Sequence, residues 1–230
     1  MTAETDIVAD LPHRSERGAS ACCPHLIFRN VLGADTVAGL LDFVAARQND
    51  FVPRVLRNRD SGKIRVDYDI ADCLYLMDLG IFRGSIETFV HQIAAQALAE
   101  LHLNAPMVQP REFELSAYRD GDHFGAHIDT DERLDRVRVL SCVYYFALTP
   151  RRFSGGELRL HGFPTLATVK TGRPPPFVDV TPETDTMVVF PSWLSHEVLP
   201  VRVPSGNWAD GRFTINCWIH RASTSGIERN

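Results

Sequence analysis

From Pro110 to His220 the chain is a succession of short runs rich in β-branched, aromatic and aliphatic residues, each closed by turn formers. The runs are Phe113–Tyr118, Gly125–Ile128, Arg138–Leu148, Glu157–Leu160, Met187–Phe190, Glu197–Val201 and Arg212–Ile219. The turns between them are marked by Asp120-Gly121-Asp122, Gly155-Gly156, Pro174-Pro175-Pro176 and Ser205-Gly206. Runs this short and this often interrupted read as strands, not helices. Many short strands must stack as two sheets or close on themselves to bury a face and protect their edges. The expected architecture is mainly β with flanking α, of the jelly-roll kind.

The flanking helices precede this region. Val37, Leu40, Leu41 and Val44 fall at helical spacing after Asp35 or Thr36 as a cap. Ile86, Phe89, Val90, Ile93, Ala97 and Leu101 form a second apolar stripe after Ser85. Both are expected on one outer face of the β body. Pro24 to Val31 reads as an entry strand, and residues 1–23 as a mobile arm. The remainder, 24–230, is expected to be one domain, with helical support over 24–110 and the β core over 111–220. The chain has 230 residues, enough for a sizeable core.

Net charge is -5, which argues against a nucleic-acid face. No stretch approaches the roughly 20 apolar residues of a membrane span. Met1 to Pro12 carries Glu4, Asp6 and Asp10 and no basic region before an apolar run, so no secretory signal is expected. The five cysteines show no CxxC spacing, and Cys142 and Cys217 sit in apolar runs as core thiols. A reducing, cytoplasmic setting follows.

One segment carries chemistry: Tyr118-Arg-Asp-Gly-Asp-His-Phe-Gly-Ala-His-Ile-Asp-Thr130. His127 and Asp129 are two apart, so on a strand they share a face. His196, opening a later strand, is the candidate third ligand. Two imidazoles and one carboxylate form the facial triad of non-haem Fe(II) oxygenases, which leaves positions open for a 2-oxoacid and O₂. Such a co-substrate needs a cation for its distal carboxylate. Arg212 opens the strand after His196, and a guanidinium pairs bidentately with a carboxylate. Thr214 and Asn216 share its face and can add hydrogen bonds. Arg202 is a rival anchor.

Several pieces together resemble the prolyl-hydroxylase-like branch of the Fe(II)/2-oxoglutarate-dependent dioxygenases. They are Tyr118-x-x-Gly121-Asp122-x-Phe124-x-x-His127-x-Asp129, Tyr144-Tyr145, Gly155-Gly156-Glu157-Leu158, His196-Glu197-Val198-x-Pro200-Val201 and Arg212 to Trp218. They span roughly residues 113–220, in the family's order. The stretch from His196 to Arg212 is longer than usual, through an extra tip at Pro204 to Gly211. The resemblance implies a double-stranded β-helix, cupin-like in outline. It implies His127, Asp129 and His196 as catalytic iron ligands, and Arg212 on 2-oxoglutarate. Tyr145 would share that task and Tyr118 would line the pocket; each could instead be a core aromatic with a satisfied hydroxyl. Cofactors implied are Fe(II), 2-oxoglutarate as co-substrate and O₂, with ascorbate as a stimulant. The reaction implied is hydroxylation of an unactivated C–H bond, coupled to decarboxylation of 2-oxoglutarate to succinate and CO₂.

The substrate is not legible: a prolyl residue of a protein, a free amino acid or another small molecule all suit. Asn49 to Tyr75 is too polar for core and reads as a solvated loop or a lid. It and the Thr130–Val137 loop carry Arg54, Arg57, Arg65, Arg133 and Arg136, with Arg138 beside them. These could hold a carboxylate or an acidic peptide, or be solvated and paired with Asp60, Asp67, Asp131 and Asp135. Gly155-Gly156-Glu157 reads as a plain turn. Two other readings use the same ligands: a cupin-like binding module with a metal but no oxygen chemistry, and a zinc or manganese hydrolase or isomerase. The latter needs a general base, and Glu197 should point away from His196 on its strand. No membrane or nucleic-acid partner is expected, and nothing indicates an oligomeric state.

Overall fold

The computed structural model describes residues 15–17, 22–57, 64–67, 69–105, 107–130, 138–163, 170–172 and 174–222. The elements before the β core are β1 (Ser15–Arg17), β2 (Leu26–Arg29), α1 (Ala34–Ala46), β3 (Val52–Pro53), β4 (Val55–Arg57), β5 (Ile64–Val66), β6 (Ala71–Asp72), β7 (Leu74–Leu76) and α2 (Arg83–Glu100). The core continues with β8 (Val108–Tyr118), β9 (His123–His127), β10 (Arg138–Phe146), β11 (Ser154–Gly155), β12 (Leu158–His161) and β13 (Phe177–Val180). It closes with β14 (Thr186–Pro191), β15 (His196–Val198), β16 (Val201–Arg202) and β17 (Arg212–Arg221).

Among the described residues two large antiparallel sheets result, beside two two-stranded ribbons, β11-β16 and β4-β5. The larger runs β1-β2-β14-β10-β17-β8-β7-β3 and the smaller β13-β12-β15-β9-β6. Strand alternation decides what each face of the larger sheet holds. On β17, Phe213, Ile215, Cys217 and Ile219 join Phe113, Leu115, Tyr144, Phe146, Met187 and Val189 in one buried cluster with the helix stripes. That cluster takes in Val37, Leu40 and Val44 of α1 and Ile86, Phe89, Val90, Ile93 and Ala97 of α2. Both helices therefore cover the outer face of the larger sheet, as expected. Each fully buried Leu or Phe there contributes about 1.5–3 kcal/mol. The opposite face of the same strands looks across at the smaller sheet. Tyr145, Val188 and Phe190 pack there on Leu158, Leu160 and Val180.

Several local expectations change. Helix α1 starts at Ala34, so Asp35 lies in its first turn and makes no cap bond. The chain entering it is held from a distance instead, with Leu32 and Gly33 N–H donating to the Asp185 carboxylate at 2.8 and 3.0 Å. Helix α2 starts at Arg83, leaving Ser85 inside it. A single 3₁₀ turn, Gly80–Phe82, runs straight into it, with Gly80 N–H on Asp78 Oδ1 at 2.8 Å. Within the expected arm, Ser15–Arg17 pairs with Leu26–Phe28 at the edge of the larger sheet; residues 1–14 and 18–21 lie outside the described residues.

Asn49 to Tyr75 is not a plain loop. It contributes β3, β6 and the start of β7 to the two sheets and a small β4–β5 ribbon. Glu197–Val201 splits into β15 and β16, and Phe177–Val180 is a strand that the sequence pattern does not announce. The tip from Pro204 to Gly211 is mostly exposed and is anchored by Trp208. Trp208 donates its Nε1–H to Val44 O at 3.0 Å and packs on Phe51 and Phe213.

Candidate metal centre

His127 ends β9 and His196 begins β15, and the two strands pair with His127 directly opposite His196. Asp129 follows two residues on, where its backbone N–H donates to Ser192 O at 2.9 Å. The three side chains place one ligand atom each within 4.8 Å of one another. His127 Nε2 lies 3.5 Å from Asp129 Oδ1, and His196 Nε2 lies 3.5 Å from Asp129 Oδ2.

Both imidazoles are oriented by one device. Nδ1 of His127 meets Gly125 O at 2.9 Å, and Nδ1 of His196 meets Leu194 O at 2.9 Å. A carbonyl accepts only, so Nδ1 carries the proton and Nε2 keeps its lone pair for a metal. Phe124 stacks on His127 at 4.0 Å, and Phe190 meets His196 edge-on at 4.7 Å. Burial pushes the His196 imidazole down to about 4, although Asp129 opposes this, so it is neutral at physiological pH. Burial alone would raise the Asp129 carboxyl; His196, His127 and Ser141 outweigh it and hold it well below the usual range. One ionised carboxylate and two imidazoles that present Nε2 are the donors that a divalent transition metal takes.

Asp129 is further held by two serines that the sequence reading passed over, and by Arg138. Ser141 Oγ donates to Asp129 Oδ2 at 2.6 Å, and Ser192 Oγ lies 2.9 Å from Ser141 Oγ. With Ser141 spending its proton on the carboxylate, Ser192 must supply the proton of the second bond. Arg138 donates to Asp129 O at 3.3 Å, while its guanidinium pairs with Glu112 and lies 4.1 Å from the Trp218 ring. The only signal for Ser141 is a small polar residue on the inward side of an apolar strand.

Deeper between the sheets, Arg212 is 1% exposed. Its Nε donates to Gly156 O at 2.9 Å, and its guanidinium lies 4.6 Å from the Tyr118 ring and 5.1 Å from the Tyr145 ring. Both terminal nitrogens of Arg212, the Tyr145 hydroxyl and Thr214 Oγ1 are buried without a hydrogen-bond partner among the described residues. Buried polar atoms almost always find partners. Four such atoms on neighbouring residues, two of them cationic donors, fit an anion with several oxygens. Burial pushes the Tyr145 phenol up to about 12, against the pull of Arg212, so it remains an O–H donor. This is the group that a 2-oxoacid with a distal carboxylate would occupy, and the residues fit it.

The other expected site residues sit differently. Tyr118 offers Arg212 its ring face, and its hydroxyl engages the Cys73 thiol. Asn216 gives its Nδ2 to Glu114 and Ser116, at 3.1 and 3.0 Å, so it has no N–H left for a carboxylate. Arg202 is exposed on β16. Gly155-Gly156 is more than a turn: at Gly156, with φ of +69°, a Cβ would lie 2.7 Å from Arg212 Cδ. Of the arginines considered for substrate, Arg54 and Arg138 are spent on Glu114 and Glu112. Arg133 and Arg136 lie outside the described residues, as do the side chains of Arg57 and Arg65.

A sequence model of the 2OG-Fe(II) oxygenase superfamily matches residues 113–220. An uncharacterised PKHD-type hydroxylase of Synechocystis sp. is 34% identical over 148 residues, 64% of this chain. The chain spans 48% of that relative's length. Among solved structures, a Pseudomonas putida prolyl-4-hydroxylase aligns over 86% of this chain and 92% of its own, at TM-score 0.60 and 21% identity. A Trichoplax adhaerens prolyl hydroxylase in complex with a hypoxia-inducible-factor peptide fragment aligns over 86% and 83%, at 0.59 and 20%. At these identities the structural likeness speaks for the fold. Residues 113–220 thus match the 2OG-Fe(II) oxygenase superfamily, the His-Asp-His constellation lies inside the matched stretch, and the fold is the double-stranded β-helix of the similar structures.

Proposed function

We propose that this chain is an Fe(II)- and 2-oxoglutarate-dependent dioxygenase that hydroxylates an unactivated C–H bond. The observation that carries the reading is the set of unpartnered donors on Arg212, Tyr145 and Thr214, buried between the same two sheets as His127, Asp129 and His196.

His127, Asp129 and His196 hold the metal through Nε2, a carboxylate oxygen and Nε2. Arg212 takes the distal carboxylate of 2-oxoglutarate with its two terminal nitrogens, and Tyr145 and Thr214 add hydroxyl donors. Iron with 2-oxoglutarate and O₂ supplies an oxidation in which one oxygen atom enters succinate, formed with loss of CO₂, and the other enters the substrate as a hydroxyl. The protein orients these groups and keeps water out: Phe124 and Phe190 wall the two imidazoles, and Tyr118 covers the guanidinium.

The similar structures are prolyl hydroxylases, one with a peptide bound. They favour a prolyl residue of a peptide as substrate over a free amino acid. Among the described residues no helix is long and apolar enough to cross a membrane. Five cysteines, none in a disulfide among the described residues, and a ferrous site suit the cytoplasm. The base named for the hydrolase alternative, Glu197, turns instead to His161 at 3.0 Å.

Anaerobic titration of the apo-protein with Fe(II) and 2-oxoglutarate tests the reading through the metal-to-ligand charge-transfer band. The wild type should develop it, His127→Ala should not, and Arg212→Ala should need far more 2-oxoglutarate. Iron binding with no response to 2-oxoglutarate would overturn the reading and leave a metal-binding module.

A further inference from the structure

Arg54 stands between β3 and β4, and its side chain is only 14% exposed. It reaches the inner face of β8 and closes a two-pronged ion pair with Glu114: NH1 donates to Oε2 at 2.9 Å and NH2 to Oε1. NH2 also lies 3.3 Å from Ser116 Oγ. The guanidinium carbon lies 4.9 Å from the centre of the Tyr75 ring and 5.8 Å from that of Phe124. Phe124 is the ring stacked on His127. A single aromatic ring thus separates this cation from a metal-ligand imidazole.

Glu114 is the reason a cation is needed there. Its side chain is 5% exposed and shares a face with Ser116 and Tyr118 of β8. Asn216 sits opposite it on β17, in line with Thr214 and Arg212 on the inward face. A lone buried carboxylate at this place would repel a dianion entering the same barrel, because charges interact strongly where water is excluded. Arg54 cancels that charge, and the Glu114 carboxylate in turn holds the Asn216 amide nitrogen.

We propose that Arg54 is a positioning residue for the co-substrate: by neutralising Glu114 beside the metal centre it makes the barrel receptive to a dianionic 2-oxoacid. The inference rests on the dioxygenase reading. It assigns a task to the segment before β4, which is distant in sequence from every other site residue.

The test is calorimetric titration of 2-oxoglutarate into Mn(II)-loaded protein without O₂, for wild type, Arg54→Met, Glu114→Gln, the double variant and Arg54→Lys. Arg54→Met should weaken 2-oxoglutarate binding by about tenfold or more, while Glu114→Gln changes it by less than about threefold. The double variant should return to within about threefold of wild type, because the repelling charge has gone with its partner. Arg54→Lys, which keeps charge but loses the fork, should bind within about threefold of wild type and serves where Arg54→Met does not fold. A loss that persists in the double variant means that Arg54 only packs, and overturns the proposal; so does wild-type affinity in Arg54→Met, or a loss in Arg54→Lys as large as that expected of Met. Mn(II) binding by the wild type with no heat from 2-oxoglutarate is a different failure: it removes the dioxygenase reading, and this inference with it.

Discussion

The hydroxyl of Ser141 donates a 2.6 Å hydrogen bond to Oδ2 of Asp129, from the strand that faces the metal-binding edge across the barrel. The bond favours one rotamer of the carboxylate, in which Oδ1 lies 3.5 Å from His127 Nε2 and Oδ2 3.5 Å from His196 Nε2. Ligand-orienting contacts of this kind are worth about 10- to 100-fold in metal affinity. Ser141→Ala is therefore expected to weaken Co(II) binding by about that factor, with Ser141→Thr close to wild type. Titration of the Co(II) visible spectrum reads this directly. Equal affinity in the alanine variant would show that the backbone alone orients Asp129.

Tyr145 gives an opposed pair of effects. Its buried hydroxyl has no hydrogen-bond partner among the described residues, so its desolvation is uncompensated before a ligand arrives. In Tyr145→Phe the unliganded protein should be as stable as wild type or up to about 1 kcal/mol more stable in urea unfolding. A hydrogen bond to a charged group contributes about 1.5–3 kcal/mol, so 2-oxoglutarate affinity should fall roughly 10- to 100-fold. Destabilisation without loss of affinity would assign the hydroxyl to packing.

Gly156 tests how closely Arg212 is held. An added Cβ would meet Arg212 Cδ at 2.7 Å and Val201 Cγ2 at 2.9 Å, on backbone with φ of +69°. Gly156→Ala should cost about 1–3 kcal/mol of stability. It should also weaken 2-oxoglutarate binding by about tenfold or more through displacement of the guanidinium. Gly206→Ala, equally left-handed but with open space around its Cβ, is the control: strain without loss of binding.

Glu112 sets a pH dependence of stability. His220, with Nε2 2.9 Å from Glu112 Oε1, and then Arg138 hold its carboxyl down to about 2 from an ordinary 4.5, although partial burial opposes them. A depressed folded-state value means that the ionised form stabilises the fold. The contribution is complete above about pH 4.5 and is lost as pH falls toward 2. The difference in urea midpoint between wild type and Glu112→Gln should be constant from about pH 7 to 5 and should shrink below that. A gap that persists unchanged at about pH 3 would contradict this account.

What could be read from the chain itself was local. His127 and Asp129 were nominated because two-residue spacing on a strand puts side chains on one face, whatever the rest of the fold does. The mainly β body followed from runs of apolar residues cut by turn formers, and both helices from their apolar stripes. Cap positions were misjudged at Asp35 and Ser85, because the chain is anchored there by Asp185 and by a preceding 3₁₀ turn.

Arg54 shows most clearly where such reading stops. Among so many polar neighbours it looked solvated, yet its partner Glu114 lies sixty residues on. A charge is buried or exposed according to what pairs with it, and pairing between distant strands is set by register, which composition does not encode. Residue types, strand periodicity and the spacing of candidate ligands were thus determined by the sequence alone. The closure of two sheets decided the rest: which serine holds Asp129, which glycine makes room for Arg212, and which carboxylate Arg54 neutralises, because each joins atoms that only the folded barrel brings within hydrogen-bond range.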